Sequence, residues 1–110
     1  MRTAATMNLR ALVRPSAQEG LWVAICLERY IVAQGESAKE ALHNFAAMLA
    51  AEIEYGSEVG DPANPLAGIP QAPTKYWDEF DVGDPCRLRL PKPSQSISAL
   101  PKVEKRLAAA

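Results

Sequence analysis

The 110-residue sequence predicts an α+β domain: an antiparallel sheet in the order β-β-β-α-β, with one main helix packed on one face. Three observations carry this. Met7 to Arg14 alternates with a two-residue period, the apolar runs Leu21 to Leu27 and Tyr30 to Ala33 are separated by only Glu28 and Arg29, and a capped apolar stripe starts at Ser37. A hydrophobic share of 48% with 23% charged residues is ordinary for a globular domain, and this length provides one small core. Such a domain buries only roughly 60–65% of its unfolded surface, so a homo-dimer or higher assembly is the expected way to add stability.

In "MNLRALVR", Leu9, Ala11 and Val13 fall on one side and Arg10, Leu12 and Arg14 on the other, which predicts a half-buried strand over about 7–14. The first six residues read as a disordered leader, with Met7 as an alternative start. "PSAQEG" supplies Pro15, Ser16 and Gly20 for a loose hairpin. Strands over about 21–27 and 30–34 follow. Their link is far too short for a parallel crossover, so they pair antiparallel.

Ser37-Ala38-Lys39-Glu40 fits a capping box, in which the Ser37 hydroxyl accepts from the Glu40 amide and the Glu40 carboxylate reaches back to the Ser37 amide. Gly35 permits the bend that takes the chain off the sheet. Ala38, Leu42, Phe45, Leu49 and Ile53 then share an arc of roughly 80°, with Glu52 at its edge, reaching solvent along the sheet rim. Gly56 stands where a left-handed cap belongs, which predicts a helix over about 38–55. The face formed by His43, Ala47, Ala50 and Ala51 is small and nearly uncharged. Helix propensity explains it, and close approach of another subunit's helix is the alternative.

Residues 57–72 carry three prolines and two glycines and form an irregular connection. Pro73 opens "PTKYWDEFD", a short helix over about 74–81. Its Tyr76, Trp77 and Phe80 either cover a core edge or form a binding hot spot among Asp78, Glu79 and Asp81. With Arg87 and Arg89 they are the candidate partner interface. "CRLRL", residues 86–90, alternates as an edge strand guarded by Pro91. Residues 92–110 read as a flexible basic tail, and deleting Pro91 to Ala110 is expected to leave the melting temperature nearly unchanged.

Charge is unevenly spread. Residues 1–51 hold 5 basic and 4 acidic side chains, 52–85 hold 1 and 8, and 86–110 hold 6 and 1. Attraction between the acidic middle and the basic tail is one account, and a tail that binds nucleic acid or an acidic partner is the other. Any nucleic-acid contact expected of the tail, or of Arg10, Arg14, Arg87 and Arg89, is weak, non-specific and salt-sensitive.

Groups that do chemistry are sparse. His43 is the only histidine and projects to the solvated face, which leaves no two-histidine metal motif. Cys26 and Cys86 are 60 residues apart, outside any metal-ligand spacing, and read as free buried thiols. No glycine-rich phosphate loop, secretory signal or 18-residue apolar run is present. The expectation is a cytoplasmic protein that is not an enzyme, without catalytic residues, cofactor, metal or membrane contact.

The order of elements, with Gly20, Trp22, Val23, Ala24, Cys26, Leu27 and Glu28 followed by Gln34, Gly35, Ser37, Glu40, Ala41 and Leu42, resembles the HicB-like antitoxin family over roughly Met7 to Ile53. That resemblance implies a fold partly like the double-stranded-RNA-binding domain, with these motif residues structural: Gly35 and Ser37 turn the chain, while Ala24, Leu27, Ala41 and Leu42 fill the seam between sheet and helix. It also implies a dimeric or higher protein that blocks a small HicA-like ribonuclease toxin. The family's usual C-terminal DNA-binding domain is not evident in the sequence. A solitary HicB-like protein, mobile-element-encoded and serving a different macromolecular partner, is the alternative.

Overall fold

A computed structural model describes residues 5–85 and 99–108. The strands β1 (Ala5–Pro15), β2 (Trp22–Cys26), β3 (Val32–Gly35), β4 (Asp84–Pro85) and β5 (Ala99–Leu107) form one sheet in the order β3-β2-β1-β5-β4. The helices α1 (Ala38–Val59) and α2 (Thr74–Asp81) lie between β3 and β4 in sequence. The fold class is thus α+β. β1 pairs antiparallel with β2, Ala11 opposite Cys26, and β2 antiparallel with β3, Ala24 opposite Ala33.

The central position of β1 explains its composition. With strands on both sides and helices over both faces, its Leu9, Ala11, Leu12 and Val13 are buried and Arg10 and Arg14 half-buried, so both sides of its alternation must be accommodated. Leu9, Ala11 and Val13 enter the cluster under α1, together with Ala24, Cys26, Ile31 and Ala33 from β2 and the β3 segment. Leu12, between two arginines, enters a second cluster with Ile25, Leu27, Ala72 and Phe80 under α2. Leu27 therefore belongs to the α2 side, and the expectation that it fills the α1 seam is corrected. Its position one residue after Cys26 sets it on the opposite face.

The α1 stripe is as the periodicity predicts: Ala41, Leu42, Phe45, Leu49 and Ile53 are buried. The Ser37 hydroxyl accepts from the Glu40 amide at 3.0 Å, and the Glu40 carboxylate accepts from the Glu36 amide at 3.0 Å, one residue earlier than the capping box predicts. Gly35 is buried where a β-carbon would lie 2.6 Å from the Ala41 backbone nitrogen, so its lack of a side chain lets the helix start against the strand end. Gly56 does not end the helix, which runs on to Val59. A β-carbon there would meet the Pro65 carbonyl, so the glycine serves the return of the 60–73 segment against the helix. That segment is packed, with Leu66 buried in the α1 cluster and the Ala72 amide bonded to the Leu27 carbonyl at 2.9 Å.

Three further expectations are revised. The sheet is mixed, because β5 runs parallel to β1 from Ala5 opposite Ala99 to Val13 opposite Leu107. Residues 99–107 are accordingly strand rather than flexible tail: Val103 and Leu107 pack against the α1 cluster, and the Ala108 amide bonds to the Val13 carbonyl. β1 also begins at Ala5, inside the predicted leader. The predicted strand 86–90, with Cys86, Arg87 and Arg89, lies outside the described residues, as does all of 91–98.

Candidate interaction surfaces

The aromatic segment of α2 faces the sheet. Phe80 is 2% exposed and belongs to the second core cluster, while Tyr76 and Trp77 are half-buried against it. Phe80 is thus removed from the candidate partner interface, because its ring is buried with Leu12 and Ile25 in the core. Arg87 and Arg89 fall outside the described residues, so the structure does not join them to the aromatics.

Charged groups on this face hold the helix down. The Arg10 Nε and backbone amide both donate to the Glu28 carboxylate, at 2.6 and 2.7 Å, while the Arg10 guanidinium lies 4.5 Å from the Trp77 ring centre. Trp77 Nε1 donates to the Ala72 carbonyl at 3.2 Å. Arg14 donates through Nε to both Glu79 oxygens at 2.8 and 3.0 Å. Arg106 of β5 sits 4.6 Å from the Phe80 ring centre and donates to the Phe80 carbonyl at 3.0 Å, satisfying a carbonyl at the end of α2. A guanidinium over an aromatic face is attracted by the ring quadrupole while its stem covers apolar surface.

The groups capable of reaction are placed apart. Cys26 is fully buried, and burial pushes its thiol up from 9.0 to about 11, with the Glu28 carboxylate adding in the same direction. A neutral thiol at neutral pH is a packing group rather than a nucleophile. His43 stands exposed on α1. Among the described residues no group of three or more His, Cys, Asp or Glu side chains is arranged to hold a metal ion.

A different region offers an open surface. Among the described residues β3 is an edge strand of the sheet, and beside it Tyr30, Ile31, Val32, Met48, Glu52 and Ile69 line a shallow depression of about 270 Å³. The edge is closed at both ends: the Tyr30 amide bonds to the Pro70 carbonyl at 2.6 Å, and Asn44 Nδ2 donates to the Gln34 carbonyl at 2.8 Å. Tyr30, Val32, Met48, Tyr55 and Val59 are exposed on these elements. Sequence reasoning missed this surface by attending to the alanines of α1. The available signal was Met48, Tyr55 and Val59, three large apolar residues spaced by seven and four and lying off the core stripe.

The motif residues Trp22, Gln34, Gly35, Ser37, Glu40, Ala41 and Leu42 cluster around the β3–α1 corner, where they make backbone contacts, a cap and core packing. Among the described residues no helix is long and apolar enough to cross a membrane. Comparison with protein-family models, curated proteins and solved structures returned no match.

Proposed function

We propose that the chain is a HicB-like binding module of antitoxin type, which neutralises a small HicA-like ribonuclease toxin by covering its active site. The observation that supports this most is that seven of the residues carrying the resemblance, Trp22, Gln34, Gly35, Ser37, Glu40, Ala41 and Leu42, build the β3–α1 corner. They work as scaffold, so the activity belongs to the outer surface. Fold-level likeness does not by itself assign function, and the reading rests on that motif. Co-expression with the cognate toxin is expected to relieve growth arrest and yield a co-purifying complex. Undiminished toxicity in its presence removes the assignment.

One observation favours a second reading, a solitary HicB-like protein with a different macromolecular partner. The two described helices lie on opposite faces of the sheet and are joined by residues 60–73, which is not the tight-turn pair of a helix-turn-helix. A neighbouring gene for a protein of about 60 residues with a histidine borne on a strand selects the first reading. Its absence selects the second.

A further inference from the structure

The side of the molecule around the β3 edge combines exposed apolar side chains with the acidic side chains of α1. Tyr30, Val32, Met48, Tyr55 and Val59 are five of the six large hydrophobic residues that stand exposed among those described. At about 100° per residue, Met48, Tyr55 and Val59 project within roughly 40° of one another, and Glu52 and Glu58 bracket them. From Glu36 to Asp61 there are six acidic residues and one basic, Lys39, which projects to the opposite flank of α1. The cations Arg10, Arg14 and Arg106 are held in ion pairs on the α2 side. Arg29 donates to the Ala67 and Ile69 carbonyls at 3.2 and 3.0 Å and brings one positive charge to the Ile69 end of the depression, opposite the acidic flank of α1.

The geometry points to a docking site for a cationic protein surface that inserts an apolar side chain into the depression between Met48, Val32 and Ile69. Acidic charge around an apolar centre attracts lysine and arginine during approach and disfavours partners of its own sign. A two-fold pairing of this strip with a second copy sets acidic rim against acidic rim, and nucleic acid is repelled outright. Strand addition is also disfavoured, because the Pro70 carbonyl and the Asn44 amide occupy the edge on either side of Val32. The contact is therefore made through side chains. This deepens the proposed function and rests on it for the partner's identity: an enzyme that grips an RNA backbone carries such cations around its cleft.

The test uses the full chain, labelled with nitrogen-15, and two synthetic amphipathic helical peptides of about 20 residues that share one leucine face. One is otherwise rich in Lys and Arg and the other in Glu. The basic peptide is expected to shift the amides of residues 30–32, 48–59 and 69, with an affinity that falls as salt rises. The double variant E52K/E58K and, separately, Met48→Ser each weaken it about tenfold or more, a loss of about 1.4 kcal/mol. Lys39→Glu, on the far flank, leaves it unchanged, and thermal melts confirm that each variant is folded. Equal binding of the acidic peptide, shifts confined to the α2 side, indifference to E52K/E58K, or a free chain that sediments as a dimer burying Met48 overturns the proposal. Toxin rescue separates the two ideas. Rescue retained by E52K/E58K overturns this surface and leaves the antitoxin reading standing, whereas charge-dependent peptide binding without rescue does the reverse.

Discussion

The two faces of the sheet are covered by different means. Under α1, thirteen buried residues form a cluster that is aliphatic apart from Phe45 and Cys26; under α2 there are five, with half-buried Tyr76 and Trp77 beside them. A helix of 22 residues, with Leu66 and Ile69 of the following segment, seals its face with apolar side chains, and one of eight does not. On the shorter side the shortfall is met by Arg10, Arg14 and Arg106, whose stems lie on apolar surface while their heads reach carboxylates, carbonyls and ring faces. The difference teaches that an arginine in a strand's alternation is not evidence of an open face.

The sharpest way to break this comparison is to remove what touches both faces. Deleting residues 99–110 takes Val103 and Leu107 from one side and Arg106 from the other, and it strips the parallel partner from β1. A loss of about 3 kcal/mol or more is expected, which lowers Tm by more than about 10 °C in a domain of this size. A melt unchanged by the deletion means that β5 does not pair in solution. Next in size, Phe45→Ala is expected to lose about 3–5 kcal/mol, with Phe80→Ala at the lower end of that range because the flexible Arg106 can settle into the gap. Urea midpoints compare them, and equal losses contradict the asymmetry.

Cys26 probes how dry the α1 side is. Below pH 9 its thiol is protonated in both folded and unfolded chains; between pH 9 and about 11 the unfolded chain releases the proton and the folded one retains it. Stability therefore falls across that window, on the order of 2–3 kcal/mol from this group. Comparison with Cys26→Ala isolates it from other groups titrating there, and an identical pH dependence in the variant rules out the buried thiol as a cause. The smallest effect is expected for Arg10→Ala, about 0.5–1.5 kcal/mol, with a rise in Trp77 fluorescence accessibility to an added quencher. Quenching unaltered by the change means that the guanidinium does not cover the ring.

Where signals were local, the sequence was informative. The Ser37 cap and the stripe from Ala41 to Ile53 placed α1 to within four residues at its end, and the error arose at Gly56, whose reason lies in a carbonyl nine residues further on. Pro73 and the aromatic spacing placed α2. β5 was missed because Pro101, Lys102, Glu104, Lys105 and Arg106 make it polar, and its partner is β1, more than 90 positions earlier. Among the described residues, only the two of β4 flank this strand on its other side, and there it tolerates proline and charge much as an edge does. The role of Tyr76, Trp77 and Phe80 stayed open in the sequence because an aromatic covering a core and one awaiting a partner have the same spacing; only burial distinguishes them.

The parallel pairing of β1 with β5 also governs kinetics. Ala5 and Ala99 must meet across nearly the whole described chain, so the entropy of closing that loop is spent before any of the nine register contacts can offset it. The hairpins and α1 form from neighbours in sequence, whereas this ladder does not, and high contact order slows folding. Because the two strands are parallel, the chain ends lie at opposite ends of the ladder, so a circular permutant needs a crossover linker of about a dozen residues or more; with one, it should refold faster than the natural order, at little change in native architecture.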